Sequence, residues 1–540
     1  MRSLNLQVTT HKFVIFITGG AVLALQLVAS RVMTPFFGVS LYVWTSILST
    51  TLLFLAVGYA LGGRATRRYR QEQVDLQFHG IPAVAALTLI AASASYPFFF
   101  RDLALWHLVM GSFVASTVLL AVPLVLLAAL NPLLVSMHQA TGHGSEADAG
   151  SGHVFFLSTL GSVAGVLVAA FVILPAFTNY QAMLIIGAGL ALVSLLAASL
   201  NPLPGRGRVM IWGMSVVAIV ATLLLWQLDQ RMQERLIVGD RGETYQVLAV
   251  RPSPFGTVRV IQQSGHGYPW LEGRMLVTSE TIQNVISPDN REVYLFAHAL
   301  PAIAIANVPD AQRALVLGQG AGMVPAALRR HGLDATVVEL NPVVSEMAQR
   351  FFTDPEDPVY SVVNADARTF VRNCEAPYDI VIADLFHGMS VPEHLVTREF
   401  FHDVRRCMAP GAVLVLNMHY SHTLARAEQH MLATLVEVFS DVAMARHVPG
   451  DWPVVNSYLW VRRDAEPARV SARHVPEAIL PADFRRPLNR VMQHYRRFRE
   501  VPGFEPLTDH AAQWRGLTLA FEVERRRLML ETFPEQFLIN

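Results

Sequence analysis

The sequence is short of charge and nearly free of cysteine. Asp, Glu, Lys and Arg make up 16% of its 540 residues, against 52% hydrophobic ones. That balance is too apolar for an ordinary soluble enzyme. Acids and bases cancel to a formal net charge of zero, so nothing global points to a nucleic-acid partner. Cysteine occurs twice, as Cys374 and Cys407. The pair implies neither a disulfide framework nor a zinc cluster, and it fits a reducing compartment. Internal repeats and low-complexity segments are missing too. At this length two or more domains are expected.

What the first two-fifths has is long apolar runs. Seven segments, roughly 13–35, 43–62, 79–100, 104–130, 153–175, 180–199 and 208–228, approach or exceed the about 18 residues of a spanning helix. The first lacks a small-residue cleavage site and leads straight into more spans, so it reads as an anchor. The fourth continues through Pro123 and Pro132 almost to His138, which predicts a kink or a re-entrant end. Gln26, Arg31 and Asn131 fit either a polar substrate path or inter-helix hydrogen bonding and snorkelling, the commoner outcome. Gly161 and Gly165 form a small-xxx-small pair suited to close helix packing.

Charge sets the orientation ambiguously. Arg64, Arg67, Arg68 and Arg70 crowd the loop after the second run, and Arg2 and Lys12 precede the first. The positive-inside rule puts both in the cytoplasm, and seven passes would then leave the C-terminal half outside. A soluble half that takes a ligand made inside would face the cytoplasm, which is the expectation adopted.

After Leu228 the composition shifts. Residues 235–300 alternate like strands, as in "ETYQVLAVRP" and "GTVRVIQQ". From about 311 to 465 strands alternate with helices, which argues a mostly parallel sheet covered by helices. The tail from about 480 to 530 is arginine-rich and reads as helical, either a solvated face or a surface for lipid headgroups.

The stretch "RALVLGQGAGMVPAALRRHGLDATVVELNP" carries the most chemistry. Gly318, Gly320 and Gly322 follow an apolar strand and open a helix, where backbone can approach a ligand closely. Glu339 ends the next strand about 20 residues on, where a carboxylate can hold a ribose diol. "NADARTF" supplies Asp366 and Ala367, and "YDIVIADLFHG" supplies Asp384 at a strand's carboxyl end. Three acids around one pocket suit a cationic, hydroxyl-rich ligand such as a sulfonium nucleoside. His387 reads as a general base or an ordinary loop histidine. His419 and His422 lack a clear third ligand, so no metal site is read.

These motifs in this order, with "MLVTSETIQNV", "REVYLFAHALP" and "VPEHLVTREFF", resemble the spermidine synthase family of aminopropyltransferases, in its membrane-fused branch. The resemblance implies a multi-pass α-helical membrane domain (1–230), a small β subdomain (235–305), a Rossmann-like α/β catalytic domain (306–470) and a basic helical extension (471–540). It implies aminopropyl transfer from decarboxylated S-adenosylmethionine to an amine or polyamine, with release of methylthioadenosine. Gly318, Gly320 and Gly322 would line the nucleoside, Glu339 and Leu340 the ribose, and Asp366 and Ala367 the adenine. Gln246, Gln283 and Tyr294 would border the donor tail and acceptor. Asp384 would orient and deprotonate the amine, with His387 beside it. The lipid bilayer of the inner membrane and a homo-oligomer are compatible with it.

The departures matter as well. Ala321, Phe296 and His387 stand where the family carries acids that recognise ammonium groups. Ordinary polyamine recognition is thereby in question. Unmodified S-adenosylmethionine, used for methyl transfer or tail cleavage, stays open as an alternative donor, and a polyamine transporter or sensor as an alternative class.

Overall fold

The computed structural model describes residues 2–38, 41–140, 147–239, 242–265, 272–278, 281–354, 357, 359–386, 391–447, 455–511, 513–532 and 534. The chain divides into two compact units, one of Met1–Arg235, Pro252–Thr257 and Arg526–Asn540, the other of Leu236–Arg251 and Val258–Arg525.

In the first unit seven helices among the described residues are long and apolar enough to cross a membrane: Gln7–Phe37, Leu41–Arg68, Gln71–Phe98, Leu108–Gln139, Ser151–Ala176, Asn179–Leu200 and Gly205–Glu234. The fourth runs unbroken through Pro123 and Pro132, so the re-entrant end expected from those prolines does not form. Gly161 and Gly165 do what their spacing suggests. A side chain at Gly161 would overlap the Phe16 carbonyl, and one at Gly165 the Gly20 backbone. Ser162 donates from its hydroxyl to the Gly19 carbonyl at 2.8 Å across the same seam. Arg31 donates to the Pro254 carbonyl, and Asn131 is buried.

The second unit begins with an antiparallel sheet in chain order: β1 (Ile237–Val238), β2 (Thr244–Arg251), β3 (Val258–Ser264), β4 (Gly273–Thr278) and β5 (Thr281–Ile286). There follow α1 (Leu295–Asn307), β6 (Arg313–Leu317), α2 (Met323–Arg330), β7 (Asp334–Glu339), α3 (Pro342–Phe351), β8 (Ser361–Asn364), α4 (Ala367–Arg372), β9 (Tyr378–Ala383), α5 (Arg398–Cys407), β10 (Met408–Tyr420), α6 (Ala425–Phe439), β11 (Val442–Arg446), β12 (Val455–Arg462), α7 (Ala482–Gln493), β13 (Arg496–Phe498) and α8 (Trp514–Thr532), which belongs to this unit as far as Arg525. The larger sheet has the order β13-β11-β12-β10-β9-β6-β7-β8. Strands β10, β9, β6, β7 and β8 are mutually parallel. Strands β12, β11 and β13 close one side antiparallel.

Period-two alternation builds a core on each face of this sheet. Leu315, Val381 and Leu414 point into one apolar cluster with Phe400, Phe401 and Met431. Val316, Ile380, Ile382 and Val415 point into the other, with Leu300, Ile303 and Leu328. Chain order reverses on either side of β6, and such a switch opens a crevice at the carboxyl ends of its strands.

Two expectations fail here. The arginine-rich tail is not helical throughout, since Arg496–Phe498 adds an edge strand to β11. Arg497 and Arg499 there pair with Asp441 and Glu466, so these charges are met by carboxylates of the same unit. The second failure is the cysteines. Cys374 and Cys407 form a disulfide, with Cα atoms 5.7 Å apart. Their separation of 33 residues gave no hint of it. The pairing follows from topology, because each cysteine leads into one of two adjacent parallel strands in which Met408 faces Tyr378.

Candidate active site

The glycine turn leaves β6 at the switch point. Gly318 and Gly320 have φ of 92° and 52°, a left-handed range that favours glycine. Protein, rather than open space, meets the missing side chains. A Cβ at Gly318 would overlap the Asp384 carbonyl, and one at Gly320 would come within 2.6 Å of Asn284 Oδ1. The turn is thus drawn onto two neighbouring elements. Gly322 caps α2. The Ala321 N–H donates to Asn284 Oδ1 at 2.8 Å.

Glu339 closes β7 beside the turn. Its carboxylate accepts from the Gln319 N–H at 3.0 Å and the Asn341 N–H at 2.8 Å. With three N–H donors around it, Asn341, Gln319 and Leu340, the carboxylate keeps about one of its roughly four lone-pair sites for a ribose hydroxyl. Burial raises its pKa, and the N–H donors of Asn341, Gln319 and Leu340 work the other way. Leu340 is exposed.

Asp366 is the N-cap of α4. Its Oδ1 accepts from the Thr369 N–H at 2.9 Å, and its Oδ2 lies 3.1 Å from His394 Nε2. Burial pushes its pKa up, but the Thr369 N–H and His394 outweigh this, and the net shift is down. Ala367 is buried behind it. Asp366, expected at the adenine, thus serves the fold as a helix cap.

Asp384 follows β9, one strand from the turn, with its N–H on the Leu317 carbonyl at 2.9 Å. Asn417 of β10 donates to its Oδ1 at 2.9 Å, and Asn456 of β12 donates to Asn417 Oδ1 at 2.8 Å. Burial raises the Asp384 pKa to about 6, against the pull of the Asn417 bond. A carboxylate with that affinity is a competent proton acceptor near neutrality. His387 lies outside the described residues. Phe386, one residue before it, stacks on His419 at 4.4 Å. Among the described residues no group of three or more His, Cys, Asp or Glu could hold a metal ion.

The residues expected at the tail and acceptor end separate. Tyr294 caps α1, and its N–H donates to Glu292 Oε1 at 2.9 Å. Glu292 Oε2 accepts from Asn284 Nδ2 at 3.0 Å, which ties Tyr294 to the glycine turn. Gln283 stands next to Asn284 with its amide nitrogen buried and unpartnered. Gln246 is exposed on β2 opposite Gln262, and no hydrogen bond among the described residues joins it to the turn. Burial raises the Glu292 pKa to about 7.

Sequence reasoning passed over Asn284, Glu292, Asn417 and Asn456. Two carried a signal. Asn417 is the first polar residue after the apolar run "AVLVL", and Glu292 is an acid three residues before an apolar helix. Asn284 and Asn456 carried none.

Residues 296–451 match the spermine/spermidine synthase domain. A polyamine aminopropyltransferase of Vibrio vulnificus is 30% identical over 159 residues, which cover 28% of this chain and 52% of that protein. An N-terminal histidine N-methyltransferase of Emericella nidulans is 29% identical over 202 residues, covering 34% and 35%. The chain thus spans about half or less of the length of these relatives. The solved spermidine synthase of Thermotoga maritima superposes with a TM-score of 0.35 at 15% identity, over 42% of this chain and 78% of that one. The likeness to the spermine/spermidine synthase domain thus lies in residues 296–451, and among the described residues seven helices apolar enough to span a membrane precede it.

Proposed function

We propose that the soluble unit is a spermidine synthase-type transferase. It binds a sulfonium nucleoside, S-adenosylmethionine or its decarboxylated form, and passes the propylamine-bearing tail to an amine. The observation that carries this reading is Asp384, a buried carboxyl with its pKa raised to about 6, oriented by Asn417 and adjoining the Gly318 turn. The acceptor nitrogen's lone pair attacks the tail carbon bonded to sulfur. The C–N bond forms as the C–S bond breaks, and its electron pair turns the sulfonium into the neutral thioether of methylthioadenosine. Asp384 takes the proton that nitrogen sheds and passes it to solvent. Glu339 holds the ribose, and the turn fixes the nucleoside for in-line attack. The reaction named for the Vibrio vulnificus relative supports the same chemistry. The Emericella nidulans relative favours a second reading, methyl transfer from unmodified S-adenosylmethionine.

Mass spectrometry of the full-length protein in lipid nanodiscs, given each donor with a panel of amines, tests this. Methylthioadenosine with an extended amine is expected. S-adenosylhomocysteine with a methylated product would assign the second reading, and no nucleoside product from any pair would overturn both.

The seven helices belong in a lipid bilayer, taken here as the inner membrane. The arginines at 64, 67, 68 and 70 and the odd helix count support the extracytoplasmic face for the soluble unit. The Cys374–Cys407 bond favours the same face, since disulfides persist in oxidising compartments. This reading outweighs the argument from donor supply. A cysteine at exposed Glu500 is expected to react with a membrane-impermeant maleimide on intact cells. Protection until the membrane is opened would return the unit to the cytoplasm.

A further inference from the structure

One charged side chain at this site has no counterpart in the chemistry above. Helix α8 carries Phe521 and Arg525, four residues apart and so on one face. Phe521 is buried, and its ring lies 5.7 Å from His419, which stacks on Phe386 just after Asp384. Arg525 lies close enough to the Tyr294 hydroxyl for the two to interact electrostatically. A helix from the end of the unit thus brings a guanidinium to the residues expected to border the donor tail and acceptor.

Arg525 is half-buried, and its Nε is sealed from solvent without a hydrogen-bond partner. Among the described residues no carboxylate forms an ion pair with it. The charge of the adjacent Glu524 acts on Arg525 without forming an ion pair, and its carboxylate accepts from the Thr423 hydroxyl at 3.3 Å. Glu292, the acid that acts on Tyr294, has one oxygen on the Tyr294 N–H and the other on Asn284, and burial raises its pKa to about 7. It is a weak counter-ion. Ala321, in the turn, is buried and uncharged. A guanidinium with a buried nitrogen that lacks a hydrogen-bond partner is costly unless a ligand supplies the anion, and it repels a tail whose only charge is an ammonium.

We propose that Arg525 receives a carboxylate, so that the site takes a substrate bearing both an ammonium and a carboxylate where a purely cationic one would be repelled. This rests on the transferase reading above. The carboxylate has two sources. It is the one on the methionyl tail of unmodified S-adenosylmethionine, in which case the transferred group is 3-amino-3-carboxypropyl. Otherwise it belongs to an amino-acid acceptor. The bond changes are those already written, and the carboxylate passes through unchanged.

Binding separates this inference from the reaction. Calorimetry on the full-length protein in nanodiscs compares S-adenosylmethionine, its decarboxylated form and methylthioadenosine. If the donor supplies the carboxylate, wild type prefers S-adenosylmethionine over the decarboxylated form by about tenfold or more, the scale of a charge-assisted bond. Arg525→Met abolishes that preference, Arg525→Lys keeps part of it, and methylthioadenosine affinity, which reports folding, stays level in both. If the acceptor supplies it, the donors bind alike. With methylthioadenosine bound, 4-aminobutyrate then binds more tightly than 1,4-diaminobutane, and Arg525→Met reverses that order. Equal binding within both pairs, or a preference unmoved by Arg525→Met, overturns the inference whether or not any transfer occurs. Preferred binding without nucleoside product in the mass-spectrometric assay leaves it standing and sinks the transferase reading alone.

Discussion

Polar side chains find their partners differently in the two units. In the seven-helix unit they mostly turn back on their own helix. Thr18 donates to the Val14 carbonyl at 2.7 Å, Thr50 to Ser46 at 2.7 Å and Ser93 to Leu89 at 2.9 Å. In the second unit they reach far along the chain, as from Asn284 to Ala321, Gln319 to Glu339 and Asn456 through Asn417 to Asp384. A hydroxyl in apolar surroundings has a cheap acceptor one turn back. Such a bond satisfies the group and specifies nothing beyond the helix. A cross-link between elements fixes a distance between functional groups, which is what catalysis by positioning requires.

The sharpest test of that contrast removes the end of the longest network. Asp384→Asn is expected to cut turnover by about 10²-fold or more, the range for a general base, with methylthioadenosine affinity nearly unchanged by calorimetry. Full turnover by this variant would reduce Asp384 to a structural residue. Next in size, Glu339→Gln should weaken methylthioadenosine binding by about tenfold, from loss of bonds to a charged acceptor. Unchanged affinity would remove Glu339 from the ribose.

A smaller effect tests the network's middle. Asn417 favours the ionised form of Asp384, whose pKa burial has already raised to about 6. The base works when deprotonated, so the rate should rise with pH through about 6 and level off above it. Asn417→Ala should carry that rise to higher pH, costing several-fold near pH 6 and little at pH 8. A profile that drops equally at every pH would mean Asn417 acts through packing. The smallest effect belongs to the helical unit. Ser93→Ala deletes a bond internal to its helix, and about twofold or less is expected in any binding or rate measurement. A large loss would break the contrast and mark Ser93 as part of a working cavity.

Much of this was legible in the residues. Apolar length alone located all seven helices, since a spanning run needs no tertiary partner to be recognised. The glycine turn, Glu339 and Asp384 were legible because a switch-point site sits at strand ends that alternation marks. Asn284 and Asn456 were hidden, because their roles come from strand register. So was Arg525, one arginine in a tail dense with them. Arg497 and Arg499 misled for the same reason, as their run looked like a solvated helix until Asp441 and Glu466 met it. The cysteines were read singly, and their pairing exists only once β9 and β10 lie side by side.

That pairing also acts on the unfolded chain. The bond closes a loop across 33 residues and so restricts the disordered ensemble, a chain-entropy effect of about 4 kcal/mol for a loop of this length. It joins the two strands at the ends away from Asp384 and Asn417, which leaves the reacting end free of covalent restraint. The oxidised chain thus begins folding with the neighbours β9 and β10 already tethered, while a chain made in a reducing compartment must find that adjacency unaided. The same sequence would be a longer-lived protein on one side of a membrane than on the other.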